Sequence, residues 1–306
     1  MKANDIMEAT RESVRSLMER LNYPADAQRV FLDALDRIAA DKVATAWLFR
    51  LLAQYDESEN CGYKQMLADV KALGESLGIH EYTSGMLLFL CLGERLRGRY
   101  AERGIDESIF YNSMADLRYK LEECRLVYGV VGSFVASWFP GFFKLTRFAL
   151  GRLQFEIVST KNAYEVDGVS LPAGTKAINI HIPRTGTKLD HGAVLDSYRQ
   201  AAEMFASEFE RRPTVFICGT WMLDPWNLMV LSPTSNMRAF YNDFKIVETG
   251  EYDSYKDVWR LFDCLYTGDA DALPKDSSLR RAYAERIKRE EPLGWGRGVF
   301  VYHQPS

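Results

Sequence analysis

The sequence predicts an α+β protein: an all-helical bundle over residues 1–130, an aromatic connector over 131–149 and a mixed α/β domain over 150–306. Three observations carry this. Apolar residues recur with a helical period of about 3.6 from residue 4 to about 128, and with a strand period of 2 from about residue 150. Between them lies the most apolar stretch of the chain, "VVGSFVASWFPGFFKLTRFAL". At 306 residues and 47% hydrophobic content, the chain can build a core in each part.

In the helical part, Asn4 or Asp5 reads as the cap of a first helix. The opening "MKANDIMEATRESVRSL" lacks the apolar core of a secretory signal. "AWLFRLLAQY" and "SGMLLFLCLGERLRGRYAERG" continue the pattern. In "YKQMLADVKALGESLGI", Met66, Leu67, Val70, Leu73 and Leu77 share one face and Gly78 is placed to end the helix. "MLLFLCL" is far too short to span a bilayer and reads as a buried helix segment. Six or seven packed helices are expected, with no fixed repeat.

In the connector, Pro140 in mid-run and the charges of Lys144 and Arg147 argue against a membrane span. Trp138, Phe139, Phe142 and Phe143 read as the place where the two parts meet, or as the wall of a ligand pocket.

The second part opens on three antiparallel strands, with Leu153, Phe155 and Ile157 on one face, Ile178, Ile180 and Ile182 in a later strand, and turns at Asp167-Gly168 and "LPAG". An amphipathic helix follows from about Asp190, with Val194, Leu195, Tyr198, Ala202, Phe205 and Phe209 along one side. "TVFICGTW" reads as a central strand, "SNMRAFYNDF" as a helix, "VWRLFD" as a strand, "SSLRRAYAERIKREE" as a helix and "RGVFVYH" as the last strand.

Charge excludes some partners. The 38 Lys and Arg against 42 Asp and Glu are spread evenly along the chain, so neither part is built for nucleic acid or an anionic membrane. Cys61, Cys91, Cys124, Cys218 and Cys264 are odd in number, with no CxxC and no nearby His pair. They read as reduced thiols of a cytoplasmic protein, not as a disulfide frame or a zinc site. A homo-oligomer is compatible with the chain.

"INIHIPRTGTKLDHGAVLDSY" carries the sharpest functional question. A strand, a short polar loop with one glycine and a helix start would aim free amides and the positive helix end at one spot, which suits a phosphate. The loop matches neither a P-loop nor the three-glycine dinucleotide fingerprint, so a plain corner is the other reading.

"LGRLQFE" at 150–156, "IHIP" at 180–183, "GTWMLDP" at 219–225 and "SNMRAF" at 235–240 resemble a bacterial family that joins an all-helical N-acyltransferase N-terminal domain to a GNAT-like C-terminal domain. The resemblance spans nearly the full length. It implies transfer of an acyl group from acyl-CoA or acetyl-CoA to a small-molecule or peptide amine acceptor, with no metal. In GNAT enzymes the pantetheine enters a gap between two splayed strands, and a loop of the form Q/R-x-x-G-x-G/A holds the pyrophosphate. That loop maps to Arg184, Thr185, Gly186, Thr187 and Lys188, where the Arg-to-Gly gap is one residue short and the second glycine is missing. The rival implied by this departure is a non-catalytic ligand-binding or interaction protein that keeps the fold.

Amide formation from a thioester needs a base for the amine proton and an acid for the departing thiolate. His181, in the strand that would flank the cofactor, is the candidate base; its other reading is a structural histidine bonded to a neighbouring strand. Glu156 could reach the amine or pair with Arg152. Asp224 follows the central strand, where α/β sheets place ligands, and an Asp before Pro225 is also an ordinary cap. Tyr241 sits where many GNAT enzymes keep a tyrosine acid, and is one of sixteen tyrosines that could simply pack.

Overall fold

The computed structural model describes residues 3–210 and 212–303. The chain divides into two compact units, Met1–Phe148 and Ala149–Ser306.

The first unit contains six long helices: α1 (Ala3–Arg20), α2 (Ala25–Ala40), α3 (Lys42–Glu57), α4 (Tyr63–Ser76), α5 (Glu81–Glu102) and α6 (Glu107–Tyr128). Asn4 and Asp5 lie inside the first turn of α1, not ahead of it as a cap. Asp41 caps α3 by accepting from Val43 and Ala44, Asp106 caps α6 by accepting from Ser108, and Gly129 ends α6 in the left-handed region. Helix α5 is buried on every side from Thr83 to Gly93, which places it at the centre of the bundle. The short α7 (Pro140–Phe143) lies in the aromatic segment. Phe139, Phe142 and Phe143 are buried, with the Phe139 and Phe143 rings 5.2 and 4.8 Å from Phe89 of α5. The Tyr55 hydroxyl donates to the Phe143 carbonyl at 3.0 Å. These rings are core of the first unit, each contributing roughly 1.5–3 kcal/mol by burial. Among the described residues no helix is long and apolar enough to cross a membrane.

The second unit is organised by a sheet. Its elements are β1 (Arg147–Leu150), β2 (Leu153–Ser159), β3 (Tyr164–Val166), β4 (Val169–Leu171), β5 (Lys176–His181), α8 (His191–Met204), β6 (Thr214–Thr220), α9 (Asn227–Val230), α10 (Asn236–Asn242), β7 (Lys245–Glu251), α11 (Trp259–Phe262), α12 (Ser278–Lys288) and β8 (Gly294–Tyr302). Six strands pair in the order β1-β2-β5-β6-β8-β7, while β3 and β4 form a separate two-stranded sheet. The three-strand opening expected from periodicity is therefore broken by an inserted hairpin, closed by Asp167 and Gly168 at φ 51° and 77°. "VWRLFD" is not a strand: residues 259–262 form the helical turn α11. The strand of that region is β7, "KIVETGE", an edge strand with no fully buried residue and hence no apolar run to reveal it.

The sheet is mixed. β2 runs antiparallel to β5, β5 parallel to β6, and β8 antiparallel to both β6 and β7. On one face Phe155, Phe216 and Phe300 meet Tyr198 of α8, with Phe216 and Phe300 stacked at 4.9 Å. On the other, Ala177, Val215, Ile217, Val299 and Val301 pack against Tyr164, Val166 and Leu171 of the hairpin. Alternation along β5 places Asn179 and His181 on this hairpin face, toward the end of the strand.

Candidate active site

The parallel ladder between β5 and β6 covers two positions, Ile178↔Phe216 and Asn179↔Ile217, although β5 continues to His181 and β6 to Thr220. Next along the strands the Cys218 thiol donates to the Ile180 carbonyl at 3.5 Å.

His181 is the last residue of β5. Its Nε2 lies 2.7 Å from Glu156 Oε1 on β2, and the Asn179 side-chain amide donates to the same Glu156 oxygen at 3.3 Å. The register sets Glu156 opposite Asn179, so the contact with His181 is a diagonal one between neighbouring strands. The Asn179 amide nitrogen also lies 3.1 Å from His181 Nε2, so Glu156, Asn179 and His181 form one polar cluster.

Arg152 organises the loop after β5. Its guanidinium donates to the carbonyls of Pro183 at 3.0 Å, Lys188 at 3.3 Å and Thr187 at 3.5 Å. The Thr185 amide turns back to Pro183, and the Thr187 amide donates to the Thr185 hydroxyl. The amides of Gly186 and Lys188 have no partner among the described residues. Gly186 sits at φ 77°, a conformation that a residue with a side chain adopts only under strain. Helix α8 then starts at His191 with Asp190 as its cap, accepting from Ala193 at 3.0 Å. The loop therefore points carbonyls inward to a cation and offers amides outward beside a helix N-terminus. Lys188 has no ionic partner among the described residues, whereas Arg184 is held by Asp263 at 2.6 Å.

At the end of β6 the chemistry differs. Asp224 accepts from the Trp226 amide at 3.1 Å and from Arg286 at 2.9 Å, both carboxylate oxygens being used. The turn carrying it lies so close to β8 that a Cβ on Gly296 would fall 2.0 Å from the Leu223 carbonyl oxygen. Tyr241 is buried on α10; burial, with the negative charge of Asp224, raises its pKa. It therefore holds its proton at neutral pH.

Three contacts were invisible in the sequence: Arg152 with the loop carbonyls, Asp263 with Arg184, and His191 with Asp243. His191 Nε2 lies 2.8 Å from Asp243, which also accepts from Tyr198 at 3.1 Å. Burial raises the Asp243 pKa, and His191 and Tyr198 pull it back. Each contact joins segments far apart in the chain, so no local pattern could have shown it. No group of His, Cys, Asp and Glu among the described residues is arranged to hold a metal ion.

A family model described as a GNAT-like C-terminal domain matches residues 147–300, and one described as an N-acyltransferase N-terminal domain matches residues 12–145. Similar solved structures include an acyltransferase mutant in complex with octanoyl-CoA, 22% identical over 95% of this chain and 88% of that one, with a TM-score of 0.74. Another is an acyltransferase in complex with decanoyl-CoA and teicoplanin, 22% identical over the same shares, with a TM-score of 0.70. At this identity they show a shared fold. No curated protein matches the chain.

Proposed function

This chain belongs to the family that joins an N-acyltransferase N-terminal domain to a GNAT-like C-terminal domain, and we propose that it moves an acyl group from acyl-CoA to an amine. The observation that carries this is the loop after β5, where the amides of Gly186 and Lys188 have no partner among the described residues beside the N-terminus of α8. They and the Lys188 ammonium receive the pyrophosphate, and the pantetheine passes beside the C-terminal ends of β5 and β6. The family relationship and similar structures holding octanoyl-CoA and decanoyl-CoA support this reading. The acceptor is a small molecule or peptide bearing an amine, consistent with the complex of a similar acyltransferase that contains teicoplanin.

In the proposed reaction the amine nitrogen bonds to the thioester carbonyl carbon and its proton passes to His181, which Glu156 orients and stabilises as it becomes positive. The carbon–sulfur bond then breaks and Tyr241 protonates the thiolate, leaving an amide and free CoA. Asp224 acts through its neighbours, fixing the turn after β6 and keeping Tyr241 protonated. The five cysteines form no disulfide, which supports a cytoplasmic setting.

Calorimetric titration with CoA and acetyl-CoA tests the reading. The parent should bind both, and Gly186→Val should bind markedly more weakly, because a β-branched residue at φ 77° re-aims the loop amides. Equal binding by parent and variant, or no binding by the parent, would leave the loop as a corner.

A further inference from the structure

An apolar pocket lies at the same edge of the sheet as the loop. Its lining includes Trp221, which directly follows β6, Tyr252, which directly follows β7, and Leu293, which directly precedes β8. Because β6 and β7 both run antiparallel to β8, these three residues mark one edge, and β5, parallel to β6, ends at that edge too. Val258, just before α11, Leu261 and Phe262 of α11 and Tyr283 of α12 add to the wall, with Ser254, Asp257 and Arg260 also lining it. The empty volume, open mouth included, is about 440 Å³.

The pocket is apolar because its polar atoms are tied off behind it. The Tyr283 hydroxyl donates to Asn227 Oδ1 at 2.8 Å, and the Asn227 side-chain amide donates to the Trp221 carbonyl at 2.8 Å. Trp221 and Trp226 meet the Tyr283 ring edge-on at 5.8 and 5.0 Å, which fixes the orientation of the wall. A second contact joins the pocket to the loop. Asp263, the residue after α11, takes Arg184 at 2.6 Å on one oxygen and Arg280 of α12 at 2.6 Å on the other. The wall of the pocket and the proposed pyrophosphate loop are thereby clamped together at one carboxylate.

We infer that this pocket receives the hydrocarbon chain of the acyl donor, so that Leu261 and Ser254, which also line it, set the chain length. The inference rests on the acyl-CoA reading above. It makes the preferred substrate an acyl-CoA with a chain of several methylenes, since an acetyl group would leave the apolar wall wet. Burial of each methylene strengthens binding about fourfold until the pocket is full.

Calorimetric titration of the full chain with CoA, acetyl-CoA, octanoyl-CoA and dodecanoyl-CoA tests it. The parent should bind octanoyl-CoA far more tightly than acetyl-CoA. Ser254→Trp, at an exposed rim position, should plug the mouth and lower the ratio of octanoyl-CoA to CoA affinity at least tenfold. Leu261→Ala should move the preference toward dodecanoyl-CoA. Chain-length profiles of both variants that coincide with that of the parent, or a parent that binds CoA equally well with every chain, would overturn the pocket assignment alone. A parent that binds no CoA would bring down the acyl-CoA reading and this inference together.

Discussion

Glu156 in the middle of β2 and Asp224 just after β6 are both carboxylates set on one sheet, yet their surroundings assign them different work. The Asp224 and Arg286 side chains retain only 9% and 10% of their exposure, Asp224 having both oxygens occupied, whereas Glu156 and His181 retain 20% and 22%. A buried, fully paired charge couples to folding; a His–carboxylate pair open to ligand can exchange a proton. The comparison teaches that a carboxylate's place on the sheet does not by itself assign its role, and that burial with partner chemistry does.

Four changes would break or sharpen that contrast. His181→Ala should lower the acyl-transfer rate about 10²- to 10⁴-fold, the usual worth of a general base, while acyl-CoA affinity and melting temperature stay near those of the parent. Asp224→Ala should do the reverse in kind, costing about 3–5 kcal/mol of stability in denaturant titration, because Arg286 is left as a buried unpaired charge. An Asp224→Ala protein as stable as the parent would remove the distinction. Lys188→Ala should weaken CoA about tenfold in calorimetry, through loss of one charge-assisted phosphate contact, without moving the melting temperature.

The smallest effect concerns the hairpin face. Burial pushes the Glu248 carboxyl up, but hydrogen bonds from Asn162 and Tyr164 and the charge of Arg297 more than reverse it, leaving its pKa below the ordinary 4.5. The folded state then binds this proton more weakly than the unfolded chain, so the stabilisation is present above pH 4.5 and lost as pH falls through the folded value. Glu248→Gln should cost about 1 kcal/mol at pH 7 and flatten the acid limb of stability. An acid limb as steep as that of the parent would contradict the assignment.

Much of the fold was legible because it is periodic. The helical part declared itself by its 3.6-residue pattern, α8 by its apolar face and Asp190 cap, and β6 by its apolar run. β7 was missed because an edge strand has little apolar sequence, and "VWRLFD" misled because its apolar residues fill the small core around Tyr283 from a helical turn. The site was legible in its parts but not in its pairing. His181, Glu156 and the loop were visible as residue types in a strand and a turn, whereas Arg152 reaching three loop carbonyls and Asp263 clamping Arg184 depend on tertiary packing.

Amine-dependent release of the CoA thiol from octanoyl-CoA by the whole chain is the most direct measurement, followed together with the N-acylated product of a simple primary amine. Acyl transfer at the C-terminal ends of β5 and β6 predicts thiol and amide in equal amounts, both falling together in His181→Ala. An octanoyl-CoA complex that forms but releases no thiol, or releases it at the same rate without amine, would contradict it.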